Sequence, residues 1–219
     1  MCFSATASFA AASSLAVIGG ATIAQRPSPR MAALAATPLF FAAHQAIEGF
    51  IWLDVHSDGP PQALVKTWVF IAEVFWPLFV PLAALLLTRG RRRRQAIFVL
   101  LLTGLIVSGY FLIILLQNDF VVRIVHGNLR YQTEHPVPHD LPGLYLLSTV
   151  APLLIVRERY VFAFGVAVLA GAVTTEVFFS HAGPSVWCFF AAIASAFALM
   201  AVREEKSARR PHLSPTPGL

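Results

Sequence analysis

Seven long apolar stretches, separated by short polar gaps, run along the chain at roughly 3–24, 32–53, 67–88, 95–116, 141–156, 159–180 and 184–202. The apolar residues come as runs, without the spacing of an amphipathic helix or the alternation of a strand, as expected where lipid is the solvent. Six of the seven approach the ~20 residues that carry a helix across ~30 Å of hydrocarbon. The fifth, Leu141 to Val156, is short and holds Pro142 and Pro152, so it is expected to be thin, tilted or partly re-entrant. The pattern predicts an all-α fold, a polytopic transmembrane helix bundle of about seven spans forming one domain over residues 1–203. A membrane barrel would need alternating apolar and polar residues, which are absent.

The gaps give the spans a direction. Those after spans 1, 3 and 5, together with the C-terminal tail, hold Arg26, Arg30, Arg89, Arg91 to Arg94, Arg157, Arg159, Arg203, Lys206, Arg209 and Arg210. The other gaps hold only Lys66, Arg123 and Arg130. By the positive-inside rule this predicts an N-terminus outside and a C-terminus in the cytoplasm. The 117–140 gap then forms an extracytoplasmic loop, and residues 204–219 form a disordered cytoplasmic tail rich in Pro and Ser toward its end. No basic residue precedes the first apolar stretch, unlike the n-region of a secretory signal.

Composition agrees. Hydrophobic residues make up 57% of the chain and charged ones 12%, against roughly 25% charged in an ordinary globular protein. Mean hydropathy is +0.70 and the pI is about 9.8. The basic pI does not indicate nucleic acid, because the basic residues sit in gaps between apolar runs. Arg89–Arg94 serves as a topology anchor, and acidic lipid headgroups are its candidate partners beyond the bilayer itself.

Small residues recur every fourth position in the first span, at Ser4, Ser8, Ala12, Ala16, Gly20 and Ala24. Such a ridge lets another backbone approach, which predicts a central first span. A shorter analogue, Cys188, Ala191, Ser195 and Ala198, lies in the last span. Pro77 and Pro81 should kink the third span and free carbonyl groups for neighbours to satisfy.

Ionisable groups inside spans are costly and normally face an interior or a cavity. His44 and Glu48 in span 2, Glu73 in span 3 and Glu176 in span 6 qualify. With the predicted direction, Glu48, Glu73 and Glu176 lie ~6–9 Å below the outer surface and His44 ~14 Å below it. The outer half thus collects the polar residues, and the inner half is nearly bare. The outer loop adds His126, His135 and His139 with Tyr131 and Pro136, and a lid or hairpin there would lower a histidine toward the carboxylates.

Each grouping has more than one reading. His44 and Glu48, four apart on one helix face, suit a divalent metal or a proton relay, or form a hydrogen-bonded pair that satisfies two buried groups. Cys2 and Cys188 both map to the outer edge, where they form a disulfide, remain thiols or ligate metal. An N-terminal Cys2 exposed by methionine removal is also a possible nucleophile. Trp76, Trp187 and Trp52 form an interfacial belt or line a ligand cavity with Glu73.

The opening MCFSATASF, HQAIEGFIWL (44–53), FWPLFVP (75–81) and VWCFFAA (186–192) resemble an uncharacterised bacterial integral-membrane family defined as a domain of unknown function. The resemblance extends from Met1 to about Met200. It implies a multi-span helical fold in the bacterial cytoplasmic membrane and no particular activity or cofactor. It also implies that Cys2, Ser4, Gln45, Glu48, Trp52, Trp76, Pro77, Trp187 and Cys188 belong to the family pattern. Glutamine more often takes the place of His44, which weakens a metal site that needs it. The several-histidine zinc set of ceramidase- and progestin-receptor-like membrane hydrolases is not visible.

The resulting expectation is an outer-half polar pocket built from spans 1, 2, 3, 6 and 7. It would bind a metal or small ligand, or act on a small or lipid-like substrate. Glu48 is the candidate ligand or general base, with Gln45, Glu73, Glu176, Trp76 and Trp187 around it. A small proton-coupled transporter and an accessory subunit of a membrane complex are the alternatives. A carrier would want polar groups through both halves.

Overall fold

The computed structural model describes residues 4–56, 59–134, 138, 140–179 and 183–209. Every apolar stretch is helical, because in lipid a backbone must satisfy its hydrogen bonds within its own segment. The elements are α1 (Ala5–Ala24), α2 (Ala32–Asp54), α3 (Gln62–Val69), a π-helical segment (Phe70–Phe75), α4 (Trp76–Leu87), α5 (Arg91–Gln117), β1 (Val121–Val125), β2 (Asn128–Gln132), α6 (Leu141–Ile155), α7 (Arg159–Phe179), α8 (Gly183–Ala194) and α9 (Ala196–Arg209). The α3–π–α4 run is one continuous rod, and α8 and α9 are separated only at Ser195.

Five stretches are long and apolar enough to cross a membrane: Ala5–Ala24, Gln62–Leu87, Arg91–Gln117, Arg159–Phe178 and Val186–Arg209. Of the two remaining expected spans, α2 has 23 residues but carries polar groups. The other, α6, has 15 residues, which reach ~22 Å at 1.5 Å per residue. The outside of the bundle is apolar: Val17 and Leu116 are each 73% exposed, and Ile106, Val177 and Phe178 nearly as much. In water such a surface would seek a partner. Facing lipid, it is already solvated.

The basic gaps meet at one end. The Ser28 hydroxyl donates to Glu205 at 2.5 Å, Lys206 donates to Gln25 at 3.0 Å, and Arg159 pairs with Glu204 at 2.8 Å. The turns between α4 and α5 and between α6 and α7 border a common cavity there. At the opposite end Gln62 exchanges two hydrogen bonds with the Phe120 backbone, and Lys66 pairs with Asp119 at 2.9 Å. The 117–140 gap holds an antiparallel β1–β2 hairpin. Its turn, His126-Gly127, has positive φ at both residues, the geometry that matches strand twist in a two-residue turn. His126 is exposed at the tip, while His135, Pro136 and His139 lie outside the described residues.

Two expectations change. The first span is peripheral: α1 buries Ser8, Ala12, Leu15, Gly19 and Thr22 against α2 and α9, and leaves Ser4, Ala16, Gly20 and Ala24 exposed. A strict four-residue repeat advances 400° per step on a 3.6-residue helix, so it walks off its own face after about two turns. The last-span ridge alternates steps of three and four and stays on one face. Cys188, Ala191, Ser195 and Ala198 are all buried, with Ala192, Ala194, Ala201 and Val202 beside them. The second change is at the tail, where residues 204–209 continue α9 as helix. An i,i+4 pair, Glu205–Arg209 at 2.6 Å, and the ties to Gln25 and Ser28 hold that turn.

The α1 assignment can be tested with two adjacent glycines. A Cβ at Gly19 would lie 2.4 Å from the Leu39 side chain, whereas one at Gly20 would meet nothing within 4 Å. Gly19→Ala is expected to cost about 1–2 kcal/mol by overpacking, and Gly20→Ala to be neutral or slightly stabilising. Thermal melts in mild detergent that rank the two the other way would restore the four-residue ridge as the packing face.

Candidate functional site

The chemistry-bearing side chains gather around the α3–π–α4 rod. A π segment shifts backbone hydrogen bonding from i+4 to i+5, and Pro77 and Pro81 have no N–H to give. Carbonyls along this stretch are therefore offered to other helices, and three helices take them. From α2, His44 Nε2 donates to the Trp68 carbonyl at 3.2 Å. From α6, the Tyr145 hydroxyl donates to Ala72. From α5, the Ser108 hydroxyl donates to Val74 at 2.7 Å. This is the arrangement that lets irregular backbone persist at membrane depth.

The α2 cluster is deeply enclosed. His44, Gln45 and Glu48 are at most 1% exposed, and Gln45 Nε2 donates to Glu48 at 3.4 Å. A carbonyl only accepts, so Nε2 of His44 carries a proton and Nδ1 faces away, buried and without a hydrogen-bond partner. Gln45 Oε1 and the Ser8 hydroxyl on α1 are likewise buried and unpartnered. The His44 ring lies 4.8 Å from that of Trp68, and Tyr131 of the hairpin stacks on the other ring at 3.8 Å. The hairpin thus covers Trp68 with an aromatic face.

A cavity of about 40 Å³ is bordered by Phe41, Trp76, Tyr145, Thr149, Trp187 and Cys188, with further apolar side chains completing its wall. Phe41 stacks on Trp76 at 4.3 Å, and Trp187 meets Tyr145 edge-on at 5.2 Å while its own N–H donates to Val168. The Trp76 N–H, by contrast, is buried with no acceptor. Glu73 sits within the π segment, partly buried, and forms no hydrogen bond or ion pair among the described residues. It and Cys188 are close enough to act electrostatically on the Tyr145 hydroxyl.

The sequence-predicted residues therefore fall into three groups. Trp76, Trp187 and Cys188 converge on the cavity with Glu73 nearby, and His44, Gln45 and Glu48 form the separate buried cluster. Glu176 joins neither: it is exposed near the end of α7, on the same side as Val173, Val177 and Phe178. Thr175 is the buried residue there, so Glu176 points outward one position round the helix. Cys2 lies outside the described residues. No group of three or more His, Cys, Asp and Glu is placed to hold a metal among the described residues.

Tyr145, Thr149 and Phe41 escaped the sequence reading. All three are uncharged, and Tyr145 and Thr149 lie on the short α6. The available signal was Tyr145 followed at i+3 and i+4 by Ser148 and Thr149, three hydroxyls on one face of an otherwise apolar helix.

Residues 1–213 match a family of unknown function, DUF6629, and the chain belongs to that family. No curated protein and no solved structure matches it.

Proposed function

We propose that this DUF6629 member is a seven-span protein of the bacterial cytoplasmic membrane, N-terminus outside, that binds a small ligand in the outer half of its bundle. The observation that carries the reading is a cavity walled by the aromatic rings of Phe41, Trp76, Tyr145 and Trp187, into which the described residues expose no polar atom. A volume of about 40 Å³ admits a few heavy atoms, well short of the ~300 Å³ of a drug-sized site. The ligand chemistry that fits is the apolar part of a lipid-like molecule, held among the aromatic rings of Phe41, Trp76, Tyr145 and Trp187. The cavity floor, Leu153, Phe164, Val168 and Ala191, is apolar, which speaks against a proton-coupled carrier with polar groups through both halves.

Ala191→Leu fills part of the cavity and leaves its aromatic wall in place. Native mass spectrometry of full-length protein extracted from its own membrane in mild detergent should show a bound small molecule on the wild type. Occupancy should fall about tenfold in the variant, the equivalent of ~1.4 kcal/mol. A wild-type chain that is bare at every collision energy, or equal occupancy in both proteins, rejects the site.

A further inference from the structure

At the end of the bundle where the basic gaps meet, a second cavity of about 540 Å³ lies between the α4–α5 turn and the α6–α7 turn. Leu87, Thr88, Arg89, Gly90, Arg91 to Arg93, Arg157 and Glu158 border it. We infer that this cavity is a binding site for a phosphate group, supplied by the headgroup of an anionic lipid.

A topology anchor requires only positive charge near the interface. It does not require arginines from two separate turns to border one space, and it does not require them to be uncommitted. Arg94 and Arg159 are committed: Arg94 donates to the carbonyls of Leu85 and Thr88, and Arg159 pairs with Glu204. Arg89, Arg91, Arg92, Arg93 and Arg157 form no hydrogen bond or ion pair among the described residues. Guanidinium groups offer a planar fork that matches phosphate oxygens two at a time. Thr88 gives an independent sign. It is 7% exposed and borders the cavity, and its hydroxyl is buried without a hydrogen-bond partner. Two further features suit an anion. The α5 N-terminus opens here at Gly90 with no side-chain cap, so its first N–H groups face outward with the positive end of the helix dipole. Glu158 is the one carboxylate at the border, set against five arginines. The site shares no lining residue with the Trp76 cavity, and neither test bears on the other.

The experiment uses the detergent-purified full chain and three soluble probes: dihexanoyl phosphatidylglycerol, dihexanoyl phosphatidylcholine and inorganic phosphate, each titrated by calorimetry at fixed ionic strength. Phosphatidylglycerol should bind saturably and at least tenfold more tightly than phosphatidylcholine. Arg157→Gln should weaken it about tenfold, and Thr88→Val, which leaves the charge unchanged, several-fold. Arg203→Gln removes the same charge from the same end of the bundle but outside the cavity, and should change affinity less than twofold. Inorganic phosphate binding as tightly as the lipid, with the same variant pattern, would uphold the phosphate site and assign it a soluble source. Equal weakening by Arg203→Gln and Arg157→Gln would reduce the cluster to unspecific charge and overturn the site, as would saturable binding by none of the probes.

Discussion

Replacing Gly104 with alanine is expected to destabilise the protein by about 3 kcal/mol, at the upper end of overpacking effects. A Cβ at this position would lie 1.9 Å from the Pro77 carbonyl oxygen and 2.8 Å from the carbonyl carbon. The obstacle is backbone, so no rotamer change relieves it. Pro81 explains why the carbonyl is there: lacking an N–H, it cannot accept the role of helical donor to the residue four before it. The Pro77 oxygen is left facing α5, and only glycine allows the α5 backbone to lie against it, in the manner of a Cα–H···O contact. Gly109, on the same helix, would place its Cβ in open space. Gly109→Ala is therefore expected to be neutral or to gain up to about 1 kcal/mol. Unfolding in mixed micelles, followed by circular dichroism, compares the two. A loss below about 1 kcal/mol at Gly104 would mean that α4 and α5 do not meet there.

Tyr145→Phe is expected to cost about 2 kcal/mol, more than an average hydrogen bond, because it leaves the Ala72 carbonyl buried without its side-chain donor. The ring and its edge-on contact with Trp187 survive the change. Loss of the bond should therefore be read without a cavity term. The cost should shrink by about 1 kcal/mol in a Pro77→Ala background, where a backbone N–H returns to the turn that the π segment and the proline leave short of donors. Equal costs in both backgrounds would separate Tyr145 from the irregular backbone. An unchanged melting temperature for Tyr145→Phe would remove the bond itself. The same variant also tests the cavity, since Tyr145 borders it next to Trp76 and Cys188.

Much of the fold was legible in the residues because helix formation in lipid is a local necessity. The expected stretches 32–53 and 141–156 are α2 (Ala32–Asp54) and α6 (Leu141–Ile155) almost to the residue. The boundaries slipped where polar residues continue a helix beyond the apolar run. Thus α3 begins at Gln62, α5 within the arginine run at Arg91, and α9 ends at Arg209. Hydropathy reports where lipid stops, whereas backbone hydrogen bonding continues into the polar flank.

The site was legible in part. Trp76, Trp187 and Cys188 border one cavity, and His44, Gln45 and Glu48 are buried together apart from it. Glu176 shows the limit of the argument. A carboxylate near the end of a span can turn outward at modest cost, so depth along the helix does not fix which way it faces. Tyr145 shows the converse, since an uncharged hydroxyl on a short span becomes central only when a neighbouring backbone needs a donor.

By itself the sequence determined that this chain is a bundle of apolar helices with its basic gaps on alternate turns, because the solvent preferences of each residue act locally and add along the chain. Only the tertiary structure decided which face of each helix is inside and which polar groups share a space. A helix face is a matter of rotation about its own axis, and that rotation is set by the neighbours. The π segment, two prolines and Gly104 fix how α4 sits against α5, and three donors from three helices fix the rod they hold between them. Contacts of that kind join residues distant in sequence, and no local pattern records them.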